Sequence, residues 1–116
     1  CYDLRFPCWT RNLNNSYDVA VFIANWPEKR TSHWKTLLPA RAIENQCYVI
    51  GVNRVGEDGN GYYHSGDSSV IDPAGNIIFR QQDEESVYTA SLSYQVLQEY
   101  RKSFPVWMDA DGCSLK

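Results

Sequence analysis

The chain opens Cys1-Tyr2-Asp3-Leu4-Arg5, placing a thiol and a guanidinium within one short turn of each other. A deprotonated cysteine is a strong nucleophile. An arginine presents paired N–H groups that match a carboxylate. The pair offers a nucleophile and a carboxylate-matching group. From position alone, Cys1 has two readings. It is either an N-terminal nucleophile that uses its own α-amine as base, or an interior residue at the head of a fragment. Arg5 also has two readings: a carboxylate binder, or the partner of Asp3 in an ion pair that braces the turn. Arg41 and Glu44 share one face of a predicted helix and read as a bracing ion pair, not as a base. His33 has no obvious carboxylate partner and reads as structural. Gly59, Gly61 and Gly66 lack the Lys-Ser/Thr that follows a phosphate loop, so they read as turn residues. Cys1, Cys8, Cys47 and Cys113 form no CxxC pair and no zinc-finger spacing with His33 or His64. Scattered in this way, the four cysteines read as free thiols in a reducing compartment, which implies a cytoplasmic location.

These residues need elements to position them. Tyr17–Ala24 is apolar at nearly every position after Asp18, the pattern of a strand covered on both faces. Asn25-Trp26-Pro27 ends it. A helix is predicted from about Thr31 or Ser32, as its cap, to about Asn45, with Trp34, Leu37, Leu38 and Ala42 as its buried stripe and a kink at Pro39. Cys47–Val52 reads as a second covered strand. Strand, helix and strand with short joints imply a parallel crossover. Gly56–Gly66 reads as a Gly-rich loop, and Asp72–Asn76 as a hairpin turn between Ser69–Ile71 and Ile77–Arg80. Val87–Leu92 reads as another strand. Ser93 should cap a last helix carrying Val96, Leu97, Tyr100 and Phe104, which Pro105 ends. Asn53 and Arg54 leave a strand at its C-terminal end and are candidates for supporting a site there.

The fold class is α/β in a single domain. A net charge of −3 argues against nucleic acid and anionic membrane surfaces as partners. No apolar run approaches the ~18 residues of a membrane span. Two strands covered on both faces need a layer on each side, and two helices with a few exposed strands do not supply them. The pattern therefore suggests part of a larger α/β unit.

CYDLRFP, followed in register by ANWP, ARAIENQCYVIGVNRVG, DGNG and DPxG, resembles the carbon–nitrogen hydrolase (nitrilase) superfamily, and within it the bacterial ω-amidase branch. The resemblance runs from Cys1 to about Asp111. It implies that residues 1–116 are the C-terminal portion of one α-β-β-α sandwich of about twice this length. Cys1 matches the nucleophile, which makes it an interior position. The general-base Glu and the oxyanion Lys would come from sequence upstream. The backbone N–H of Tyr2 would help hold the oxyanion. Arg5 keeps its two readings. Trp26 would wall the substrate pocket and Asn25 would orient the turn or the substrate, the alternative being a packed Trp beside a turn-forming Asn. The implied reaction is hydrolysis of the terminal amide of a small 2-oxo acid, such as 2-oxoglutaramate, through a Cys thioester. A general aliphatic amidase or N-carbamoyl hydrolase is the neighbouring possibility, and a non-catalytic fragment or binding module the rival class. The 116 residues alone should be inactive, and the complete protein should be a homodimer, with Trp107 and the tail reaching towards the partner. Cys8 stands where many relatives outside this branch carry Glu, and reads as a packing residue.

Overall fold

The structure is a computed structural model that describes residues 1–115. After a short 3-10 turn at Tyr2–Arg5 and another at Leu13–Asn15, strand β1 spans Val19–Ala24, helix α1 Thr31–Asn45 and strand β2 Tyr48–Asn53. Strands β3 (Val55–Glu57), β4 (Tyr63–Ile71) and β5 (Ile77–Gln82) follow, then helix α2 (Tyr94–Ser103). The strands form one five-stranded sheet, with β1 parallel to β2 and the remaining pairs antiparallel. The β1–α1–β2 unit is the expected parallel crossover. Register pairs Phe22 with Gly51 and Ala24 with Asn53, so both strands end together, beside the Asn25-Trp26-Pro27 turn.

Helix α1 lies on one face of the sheet. Trp34, Leu38 and Ala42 recur on one side of it and are fully buried. They meet Phe22, Ala24, Val49 and Ile71 in a core that also takes in Leu4 and Trp26. Gly51 lets the helix approach this closely. A Cβ there would lie 2.6 Å from Leu38 Cδ1 and 2.8 Å from Trp34 Cζ2. The helix runs through Pro39, which removes one backbone donor without ending it. Gln46, in a left-handed conformation with φ of 45°, closes it.

Four expectations are corrected. First, β1 and β2 are covered on one face only: Val21, Ile23 and Val52 on the opposite face are exposed. That face has the apolar composition of a buried one, which is why the sequence reads as doubly covered. Second, Val55–Glu57 and Tyr63–Ile71 convert the predicted Gly-rich loop into a hairpin. Its turn is held by Asp58 Oδ1, which accepts from the backbone N–H groups of Asn60 and Tyr62. Third, Val87–Leu92 forms no strand. Residues after β5 leave its edge and lie over the open face, with Tyr88 stacked on Phe79 at 3.8 Å. A strand needs a free ladder partner, which β-propensity does not supply. Fourth, Cys8 and Cys113 are joined by a disulfide, leaving Cys1 and Cys47 as the free thiols. The pairing removes the free-thiol basis for a reducing compartment.

Helix α2 closes the far end of the sheet. Ser93 caps it, its Oγ accepting from Val96 N at 3.1 Å. Its buried residues are Leu97 and Arg101, while Val96 and Phe104 of the predicted stripe are exposed. Burial of Arg101 is tolerated because its N–H groups are used: Nη1 reaches Asp18 at 2.7 Å, Nη2 the Tyr17 carbonyl at 3.0 Å and Nε the Gln46 carbonyl at 2.9 Å. Trp107 folds back onto this helix, its Nε1 donating to the Arg101 carbonyl at 3.1 Å.

Cys47 lies just before β2 in this region. Burial, above all other influences, pushes its thiol up to about 12 from 9.0, and burial likewise pushes the Tyr17 phenol up to about 12. Both groups therefore stay protonated in the folded chain where the unfolded chain would already release the proton. Their contribution to stability is complete below the unfolded thiol value and is lost as pH rises towards 12. Denaturant midpoints should fall steadily above about pH 9, and Cys47→Ala should flatten that slope. A midpoint that stays level to about pH 11 would contradict the assignment.

Candidate functional site

The Cys1 turn is built to be rigid behind an accessible thiol. Cys1 is exposed and its carbonyl accepts from Leu4 N at 3.3 Å. Leu4 is fully buried in the core, so the turn is pinned from below. Its carbonyl is held by Arg41 of α1, which donates from Nε at 2.9 Å and from Nη2 at 2.7 Å. Arg41 Nη1 meets Glu44 Oε1 at 3.0 Å, the ion pair expected from the sequence. The second task of Arg41, anchoring the turn, was not visible there. The Tyr2 amide opens the 3-10 turn, where helical geometry leaves N–H groups without intrahelical partners.

Arg5 makes no ion pair with Asp3, which is exposed; that part of the expectation is not met. Its guanidinium lies 4.6 Å above the Trp26 ring instead, a cation–π contact. Its Nη1 is 3.2 Å from His33 Nδ1. Trp26 is buried, packed against Trp34 and oriented by its own Nε1, which donates to the Arg30 carbonyl at 2.7 Å. The structure thus brings Arg5, Trp26 and His33 together beside the Cys1 turn. Asn25 follows the last residue of β1. It is exposed and lines the groove over the open sheet face.

Asn53 organises the strand ends. Its Oδ1 accepts from Trp26 N at 2.7 Å, and its Nδ2 donates to the carbonyls of Trp26 at 3.0 Å and Gly66 at 2.9 Å. Gly66 has φ of +79°, and a Cβ there would lie 2.7 Å from Val55 Cγ1, so a larger residue would be strained at the position that brings that carbonyl to Asn53. Asp67, also left-handed at φ 56°, is buried. It accepts from Thr31 Oγ1 at 2.8 Å and Ser65 Oγ at 2.7 Å, with Lys35 Nζ 3.5 Å away. These contacts tie the start of α1 to β4. Arg54 is exposed at the rim of the open-face groove.

Two concavities result. The larger, about 1040 Å³, lies over the open sheet face, walled by Ile50, Val52, Val70 and Phe79. It follows from the uncovered sheet, and Cys1 does not line it. The smaller, about 330 Å³, is lined by Arg5, Ser32, His33, Thr36 and Leu37. Cys1 does not line it, but Arg5, the last residue of the turn that follows Cys1, does. No cluster of His, Cys, Asp and Glu suited to a metal occurs among the described residues, and no helix there is long and apolar enough to cross a membrane.

The carbon–nitrogen hydrolase family model matches residues 1–102. The chain belongs to the carbon–nitrogen hydrolases. Within this family it is 57% identical over 112 residues to the Escherichia coli K12 protein named "Omega-amidase YafV", covering 96% of this chain and 43% of that one. It is 42% identical over 110 residues to the 2-oxoglutaramate amidase of Bacillus subtilis, covering 94% of this chain and 42% of that one. Among solved structures, the hydrolase fold superposes on XC1258 of Xanthomonas campestris with a TM-score of 0.96 at 46% identity, covering all of this chain and 46% of that one. XC1258 is described as a CN-hydrolase superfamily protein with an arsenic adduct in its active site. The chain spans less than half the length of these relatives.

Proposed function

We propose that these residues carry the nucleophile of an amidohydrolase that cleaves the terminal amide of a small 2-oxo acid of the 2-oxoglutaramate type. The observation that carries the reading is an exposed Cys1 on a turn locked by Leu4 and Arg41, with the Arg5 guanidinium poised over Trp26 beside it. The relatives named ω-amidase and 2-oxoglutaramate amidase support the substrate class.

An amide carbon is a poor electrophile, so hydrolysis needs an activated thiol and a stabilised oxyanion. The Cys1 thiolate attacks the carbonyl carbon, and the carbonyl π pair moves to oxygen. The Tyr2 N–H donates to that oxyanion, a donor typically worth about 3–4 kcal/mol. Collapse expels ammonia, protonated as it leaves, and a Cys1 thioester remains. Water then adds to the thioester and releases the acid. The base for the thiol, a Glu, and a Lys at the oxyanion are family expectations that are assigned to none of the described residues. In this proposal they are supplied by a further portion of the same domain, whose second sheet covers Val21, Ile23 and Val52. The complete protein acts as a homodimer without a cofactor, and the 116 residues alone are inactive.

The test compares ammonia release by the complete protein from 2-oxoglutaramate, an N-carbamoyl amino acid and a simple aliphatic amide. We expect kcat/KM for 2-oxoglutaramate to exceed the others by at least about tenfold. Equal or reversed ratios would replace this reading with the general amidase or N-carbamoyl hydrolase. Turnover by residues 1–116 alone would point instead to an N-terminal nucleophile.

A further inference from the structure

Arg5 is restrained in two directions. The Trp26 ring supports the face of the guanidinium, and that ring is itself fixed by Arg30 and, through the Trp26 backbone, by Asn53. His33 restrains it in its own plane through the 3.2 Å contact with Nη1. Arginine carries only donors. Nη1 therefore donates and His33 Nδ1 accepts, which puts the imidazole proton on Nε2. The contact uses one corner of a five-donor fork. The Nε–Nη2 edge has no partner among the described residues, and that edge can take both oxygens of a carboxylate side by side. The cavity beneath is lined by Ser32, Thr36 and Leu37 besides Arg5 and His33, with no acidic side chain to compete for the guanidinium.

We infer that His33 is a positioning residue. It holds the Arg5 guanidinium in the plane that points its free edge at the carboxylate of the amide substrate, and so sets the preference for anionic over neutral amides. The inference rests on the 2-oxo acid reading above and on Arg5 as the carboxylate binder. Stacking on an aromatic face leaves a guanidinium free to turn about the ring normal. The imidazole removes that freedom. His33 is exposed in the first turns of α1, outside the core, so it can be exchanged without opening a cavity.

The experiment uses the complete protein with two substrates, 2-oxoglutaramate and a neutral aliphatic amide of similar length. His33→Ala should raise KM for 2-oxoglutaramate about tenfold, the scale of one hydrogen bond to a charged group. The loss should fall on KM more than on kcat, and exceed the loss for the neutral amide several-fold. His33→Asn, whose Oδ1 lies near the place of Nδ1, should recover most of it. Arg5→Lys serves as the control for the underlying reading. If Arg5→Lys raises KM and His33→Ala does not, the positioning role is wrong while the carboxylate reading stands. If neither variant changes the substrate preference, both fall. Equal losses on the two substrates, or an Asn variant no better than Ala, would make His33 merely structural and overturn the inference.

Discussion

Cys1→Ala in the complete protein should abolish amide hydrolysis, with kcat lowered by at least about 10⁴-fold. Its thermal unfolding should scarcely move, because the side chain is exposed and the turn is anchored by Leu4 and Arg41 rather than by sulfur. The loss is large because the thiol does more than bind: it forms the bond that splits one difficult hydrolysis into two easier steps. Cys1→Ser tests the same point differently. A hydroxyl of similar size keeps the geometry, but it is far less ionised and less nucleophilic, so it should also fail. Ammonia release gives the rate, and intact-protein mass after mixing with substrate shows whether an acyl group accumulates on Cys1. Residual turnover above about 1% in the Ala variant would remove Cys1 from the nucleophile's role.

Asn53→Ala should be the most destabilising exchange near the site. The carboxamide satisfies the Trp26 N–H and the carbonyls of Trp26 and Gly66, all in a buried setting. Each stranded backbone group costs about 1–3 kcal/mol, and some relaxation is inevitable. A net loss of about 3–5 kcal/mol follows, read as a lower denaturant midpoint at unchanged m-value. Activity should fall as well, since the same bonds set the Asn25-Trp26-Pro27 turn and hence the Trp26 ring beneath Arg5. Asn53→Asp separates bonding from volume. It keeps the size but turns a donor into an acceptor facing two carbonyl oxygens, so it should be at least as harmful as Ala. An Asp variant of wild-type stability would show that the three contacts carry little energy.

Local signals made much of this legible before any coordinates. Helix α1 was bounded near Thr31 or Ser32 and near Asn45 by its apolar spacing, although its cap position is Arg30 and no side chain caps it, and Ser93 marked the start of α2 through its capping oxygen. Asp72 marked the β4–β5 turn because its side chain accepts from the backbone of Ala74 and Asn76. Contacts between distant residues left no such trace. Asn53 meets Trp26, and Arg41 meets Leu4, across separations that no periodicity encodes. His33 looked structural because its partner is a cation, Arg5, where a carboxylate was sought. The Cys8–Cys113 pairing joins the two extremes of the chain and has no motif. Val87–Leu92 shows the opposite failure: residue types favourable to a strand, in a segment that pairs with neither free edge of the sheet.

The Cys8–Cys113 bond closes residues 8 to 113 into a covalent ring. A protease that cut the exposed Gly59–Tyr62 turn would open that ring at one point without releasing a piece. The nicked molecule would migrate as a single band on a non-reducing gel and separate into two only after a thiol reductant is added. Damage to the chain would thus be concealed by its own sulfur clasp.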